Sequence, residues 1–296
     1  MNWVRWMLCI VVVSSVGCLG VRGPRKARAT HEPKLFPEGV DEAPLSIAPP
    51  PPPVPAAKVR LAMGEETDIP LKRLTLTALE AERRLENYVV RIRRRELVNG
   101  RNPDEIILLK YRRAPLSIHL KWLGEESLGR EIIYVEGQYE NKIHFRTGRG
   151  DLFGPGRRLT FDPDSPLVRS KSHYSVTELG LGAVARRFSG LLIAISRHQP
   201  NAGSVRYLGM VNRPEFPKPI EAVEQIIPEG LEPYLPRGGI RKYYFDDVLG
   251  VPTVMQTFDP NGQEVEYYHF DRLQLLINLD DEDFNPTMLW GATGKR

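Results

Sequence analysis

Strict alternation over short segments, joined by short links, is the constraint that most narrows what this chain can fold into. Ile118, Leu120 and Trp122 alternate with Ser117, His119 and Lys121, which is the period of a half-buried strand. Similar strand-like runs are expected at Val89 to Val98, Glu105 to Arg112, Ser117 to Leu123, Glu131 to Gly137, Lys142 to Arg146 and Arg158 to Phe161. A second set follows at Val205 to Val211, Ala222 to Ile227, Ile240 to Asp246, Thr253 to Phe258 and Gln263 to Leu273. Parallel neighbours need crossover connections of a dozen or more residues, and these links leave no room for a series of them. The sheet is therefore expected to be antiparallel, in an α+β fold. The turn Asp259 to Gly262 (DPNG) is a hairpin signal, because Gly262 can take the positive φ that such loops require.

Two helices interrupt the strands. Leu71, Leu74, Ala78, Ala81, Leu85 and Tyr88 recur at helical spacing, with Glu80, Glu82, Arg83, Arg84 and Glu86 on other faces. The most regular pattern is Leu181, Val184, Ala185, Phe188, Leu191, Leu192 and Ile195, read as a helix over Thr177 to His198 with Ser175 or Thr177 as cap.

Upstream the character changes. Arg5 precedes an apolar run, Trp6 to Val16, which ends in small residues. That run is too short to span a bilayer, which takes about twenty residues, and has the layout of an export signal. Ser15, Val16 and Gly17 before Cys18 resemble a bacterial lipobox, where cleavage exposes an N-terminal cysteine for acylation. The chain has two cysteines, Cys9 and Cys18. Cleavage before Cys18 leaves a single thiol, unable to form an internal disulfide, and lipidation disposes of it. Residues 18–70 are proline-rich, with APPPPPVP at Ala48 to Pro55, and read as a disordered tether in extended polyproline form. The expected organisation is a signal peptide at 1–17, the tether at 18–70, one folded domain at 71–286 and a flexible tail at 287–296.

A net charge of +4, with acidic and basic residues interspersed, implies no nucleic-acid partner. Arg91 to Arg95 (RIRRR) is read as the solvated face of a strand. Catalytic and metal spacings are not found: the histidines are scattered, and there is no HExxH, GxSxG or P-loop. Gly180, Gly182 and Gly190 are read as helix-packing glycines, and Asp162 and Asp164 in FDPDSP as a turn. His119 and His144 share strands with Lys121, Lys142 and Arg146, and are expected at the surface. A hydrolase using His173 or Asp162 ranks last among the readings. No cofactor and no enzyme activity are expected.

YVVRIRRREL, IILLKYRRAPLSIHLKWLG, GREIIYVEGQYENKIHFR and the closing YYFDDVLGVPTVMQTFDPNGQEVEYYHFDRLQLLINLDDEDFNP resemble a bacterial lipoprotein family known as domain of unknown function 1571. More distantly the chain is similar to the outer-membrane lipoprotein-sorting superfamily, with its LolA-type carriers and LolB-type receptors. The superfamily resemblance implies a strongly curved antiparallel half-barrel with helices on its concave side, around an apolar cavity for acyl chains. In the carriers a lid-locking arginine precedes a proline at a strand end. The nearest match is RRAP, which nominates Arg113, with Arg112 as second candidate. Cavity candidates are Trp122, Phe145, Phe188, Leu192, Met255 and Phe258. The function expected is a lipoprotein held on the membrane through acylated Cys18, on the periplasmic face of the outer membrane. It would bind an acyl chain or other hydrophobic ligand and serve lipid or lipoprotein sorting, with envelope proteins as further partners. The alternative is an envelope scaffold whose core is filled by side chains.

Overall fold

A computed structural model describes residues 65–199 and 201–291. The signal peptide, Cys18 and the proline block lie outside the described residues. The sheet is built from β1 (Asn87–Glu96), β2 (Asp104–Arg112), β3 (Ser117–Trp122), β4 (Glu131–Val135), β5 (Ile143–Arg146), β6 (Arg158–Phe161), β7 (Ser204–Val211), β8 (Ile220–Ile227), β9 (Gly239–Phe245), β10 (Pro252–Phe258) and β11 (Glu264–Leu275). The helices are α1 (Glu65–Arg84), α2 (Pro166–Arg169), α3 (Leu181–Ser196) and α4 (Pro286–Trp290).

All pairings are antiparallel, in the order β6-β5-β4-β3-β2-β1-β11-β10-β9-β8-β7. The first strand pairs with the last, while β6 and β7 are the edges, so the sheet is a single open one. Each half is a meander, which short links enforce.

The sheet is strongly curved, a half-barrel with helices on its concave side. Eleven strands laid flat span roughly 48 Å, whereas a helix is about 10 Å across. Yet Ile143 of β5, Leu120 of β3, Tyr88 of β1, Tyr268 of β11 and Val205 of β7 join one core cluster with Leu74 and Ala78 of α1 and Val184 and Phe188 of α3. Strands so far apart reach the same two helices only if the sheet wraps around them. Register shifts at Val89/Arg91, Tyr207/Gly209, Pro252/Val254 and Thr257/Phe258 supply the bends, since an extra residue in one strand kinks and twists it.

The convex face is also covered. Phe216 packs over Ile220, Tyr244, Val254 and Tyr267. At the other end, Trp290 of α4 donates its indole N–H to Glu131 Oε2 at 3.1 Å. This cover overturns the expected exposure of His119, which is buried and bonded through Nε2 to Glu131 at 2.9 Å. Burial pushes the Glu131 carboxyl up, but the bonds from His119 and Trp290 outweigh it and hold it below the usual carboxylate range.

The second helix differs from expectation at its start. It begins at Leu181, with Gly180 as N-cap at φ 99°, and Ser175 instead precedes a short 3-10 turn over Val176–Glu178. A Cβ on Gly180 would overlap the Tyr88 hydroxyl, which itself accepts the Leu181 N–H at 3.1 Å. The packing role read for the glycines therefore holds at Gly180. At Gly190 a Cβ would meet nothing within 4 Å, so that glycine has no such role. In FDPDSP, the Ser165 N–H donates to the Asp162 carbonyl at 2.9 Å, closing a turn.

Candidate functional site

Alternation sends one set of strand side chains into the concavity, where helix α3 lies on them. Phe188 meets Tyr243 edge-on at 5.3 Å and Phe245 at 4.8 Å. Phe188, Met255 and Trp122 belong to the shared core, and half-buried Leu192 packs against it. Phe145 sits apart, edge to Phe161 across β5 and β6. Phe258 lies on the other face of the sheet, with the Lys242 ammonium 5.9 Å from its ring. The structure thus brings four of the six cavity candidates together.

The two candidate arginines part company. Arg112 points to the convex side, where it donates to Ser117 Oγ, covers the Phe284 ring at 4.9 Å and pairs with Asp281 at 2.8 Å. Arg113 reaches the helices instead. Its Nη2 donates to Glu82 Oε1 of α1 at 2.9 Å, and Arg186 of α3 donates to the same oxygen at 2.5 Å. Glu82 is buried, so one carboxylate ties strand end, first helix and second helix together.

Part of the concave face, on β1, β2 and β9 to β11, is polar. Arg94 of β1 donates to Glu105 of β2 at 2.8 and 2.5 Å, and Trp122 Nε1 donates to the other oxygen of Glu105 at 2.8 Å. Burial pulls the Arg94 guanidinium down, but Glu96 and Glu105 outweigh it and keep it firmly charged. Arg241, 1% exposed, donates to both oxygens of Glu232 at 2.8 and 2.7 Å and to Thr257 at 3.0 Å. Burial pushes the Glu232 carboxyl up, and Arg241 reverses this and holds it low. The Tyr174 and Tyr234 hydroxyls share a hydrogen bond at 2.9 Å, with the Arg187 guanidinium 3.7 Å over the Tyr174 ring. His173 stacks on Tyr234 at 3.9 Å, nearly parallel.

This network corrects the reading of RIRRR as a solvated face. Arg91 pairs with Asp271, Arg94 is buried with Glu105, and Arg95 pairs with Glu264. The signal available was register: opposite charges at neighbouring strand ends, with Arg94 across from Glu105.

A cleft of about 120 Å³ opens between α1 and the β7–β9 edge, lined by Arg73, Leu74, Thr77, Met210, Glu221 and Phe245. Drug-sized ligands occupy roughly 300 Å³ or more, so this cleft admits only a small group. Among the described residues, no helix is long and apolar enough to cross a membrane.

Solved structures with a similar course include the complex of Pseudomonas aeruginosa MucA/MucB, at TM-score 0.42 and 12% identity, covering 73% of this chain and 60% of that one. The chain thus spans less than two thirds of that protein. Mycobacterium tuberculosis lipoprotein LppX is similar at TM-score 0.40 and 12% identity, covering 72% of this chain and 100% of that one. A putative outer membrane lipoprotein-sorting protein domain from Vibrio parahaemolyticus is similar at TM-score 0.37 and 10% identity, covering 74% and 99%. Likeness at this level carries neither ligand nor partner across. No curated protein matches the sequence. The family described as protein of unknown function (DUF1571) matches residues 85–288, from the start of β1 through the segment that covers the convex face, and the chain belongs to that family.

Proposed function

We propose that this chain is a membrane-anchored, non-enzymatic binding protein of the cell envelope. It holds an acyl chain or other hydrophobic ligand in the concavity of its sheet, with helix α3 as the cover. The observation that carries this reading is the division of α3. Leu181 to Ala185, Phe188 and Ser189 are buried, whereas Leu191, Leu192, Ile193, Ala194 and Ile195 form an apolar run of which none is fully buried. A helix that presents such a run at the mouth of an apolar core has a surface for a chain to slide along. In this reading α3 swings out at Gly180, and its bond to the Tyr88 hydroxyl would have to open. The Glu82 tie to Arg113 and Arg186 would hold the closed position, which gives Arg113 the role of a latch. Each methylene moved from water into such a core contributes about 0.8 kcal/mol, so binding needs no catalytic group. The anchor rests on the residues before Cys18; the position at the periplasmic face of the outer membrane is part of the proposal.

Native mass spectrometry and organic extraction of the chain purified from a host envelope test this reading. A lipid of discrete mass is expected, and Leu192→Asp should lower its occupancy about tenfold or more, since a charge in an apolar contact must stay hydrated. An empty wild-type domain overturns it. The packing of Phe188 between Tyr243 and Phe245 favours a second reading, an envelope scaffold with a filled core. An empty domain that co-purifies with a discrete envelope protein would establish that one.

A further inference from the structure

We propose that Glu96, His173 and Glu266 form a binding site for one divalent transition-metal ion, with zinc the best match to the donor set. The three residues come from β1, from the segment before α3 and from β11, and one ligand-type atom of each lies within 4.8 Å of the others. The side chains of His173, Glu266 and Glu96 are 5%, 0% and 4% exposed.

Two atoms make the site more than an acidic cluster. His173 Nδ1 and Glu266 Oε1 are both buried, lie 4.0 Å apart and have no hydrogen-bond partner among the described residues. The remaining atoms of both groups are occupied. His173 Nε2 faces the Leu97 carbonyl at 3.2 Å, and a carbonyl can only accept, so Nε2 is the donor there and Nδ1 is the ring nitrogen turned towards Glu266. Glu266 Oε2 receives Thr257 Oγ1 at 2.6 Å and Arg241 at 3.2 Å. A buried imidazole nitrogen and a buried carboxylate oxygen thus lie 4.0 Å apart, beyond hydrogen-bond reach and with no other partner among the described residues. A metal ion bridging them, in place of a proton on Nδ1, would satisfy both atoms. An imidazole whose second nitrogen donates to a backbone carbonyl is the usual state of a metal-bound histidine. Glu96 is oriented likewise, by Ser172 Oγ at 2.8 Å and by the Tyr268 hydroxyl.

Charge agrees. Arg94 and Arg241 face four carboxylates, Glu96, Glu105, Glu232 and Glu266. Arg187 over Tyr174 adds one cation, while Arg130 is also matched by Asp151, so carboxylates remain in excess. Ligands about 2.0–2.2 Å from zinc stand roughly 3.4 Å apart, so small side-chain rotations complete the site. With three side-chain ligands a water would complete the tetrahedron, and the ion would pin the segment carrying His173 across the ends of β1 and β11. This inference stands independently of the acyl-chain reading.

The test uses the full chain without a polyhistidine tag, stripped with a chelator and then dialysed against Zn2+ or Mn2+ alone. Bound metal is counted by mass spectrometry, and the zinc-loaded protein is measured by X-ray absorption. One ion per chain is expected, with one imidazole and carboxylate oxygens in its shell. His173→Gln and Glu266→Gln should each weaken binding about 100-fold or more, whereas His198→Gln, at an exposed residue, should leave it unchanged. Substoichiometric metal in the wild type, a shell without imidazole, or undiminished binding in folded forms of both ligand variants would overturn the proposal. If either variant fails to fold, the stoichiometry and the absorption spectrum of the wild type decide.

Discussion

Arg186 of α3 places Nη1 2.5 Å from Oε1 of Glu82 on α1, the same oxygen that Arg113 holds at 2.9 Å from the end of β2. Two helices and the sheet thus meet on one buried carboxylate. Glu82→Gln keeps the shape and removes the charge. Arg186 is 49% exposed, so solvent screens its share, and the loss should be about 1 kcal/mol, or roughly 2–4 °C in Tm. Amide exchange should accelerate in Leu181–Ser196 and not in β2 or β3. Equal protection in α3 of both proteins would show that this tie does not hold the helix.

Gly180 is held at φ 99°, and a Cβ there would run into the Tyr88 hydroxyl. Gly180→Ala should therefore cost about 1–3 kcal/mol by urea unfolding, from backbone strain and steric overlap together. In the Tyr88→Phe background the overlap is relieved and the strain is not. The penalty should shrink there without vanishing, and an unchanged penalty would assign it wholly to the backbone.

Arg94 and Glu105 are buried partners on neighbouring strands. Arg94→Met leaves Glu105 facing Trp122 and Arg130 without its main counter-charge, and should destabilise by roughly 3–5 kcal/mol. Adding Glu105→Gln removes the stranded charge and still accepts from Trp122. The double variant should thus recover at least about 1 kcal/mol in a double-mutant cycle, and additive losses would contradict the coupling.

Burial lowers the basicity of His269, and the nearby Asp271 and Glu215 offset this only in part. A histidine held neutral in the fold is protonated more readily when unfolded, so stability rises with pH and is lost on acidification from about pH 6.5 downward. Glu131, Glu215 and Glu232, held low by their partners, add a second loss below the ordinary carboxylate range, near pH 4.5 and under. The urea midpoint should fall in these two stages. His269→Gln should flatten the first stage in part, because His144 is lowered by burial as well. A midpoint that is constant from pH 7 to 5 would contradict this.

Local periodicity was enough to place every strand within a few residues. The alternation at Ile118, Leu120 and Trp122 is set by the pleat, and the three-four spacing from Leu181 to Ile195 by the helical turn. Both depend only on neighbours along the chain. The antiparallel order followed from link lengths, and the Gly262 turn, with φ 81°, from the conformational freedom of glycine. What is decided at a distance was not legible. Helix α3 starts at Leu181 rather than near Thr177 because Tyr88, on a strand far earlier in the chain, caps it through its hydroxyl. Arg94 looked solvated because charge next to charge usually is, and Glu96 close by gave no signal of its own. They are buried because register brings Glu105, Tyr268 and Ser172 against them and satisfies each group. The convergence of Glu96, His173 and Glu266 likewise exists only once β1 pairs with β11 and the segment before α3 crosses them. The sequence determined the elements, since each is specified by its own period. Pairing register and sheet curvature decided which side chains share a site, since those are properties of strands meeting across the whole chain.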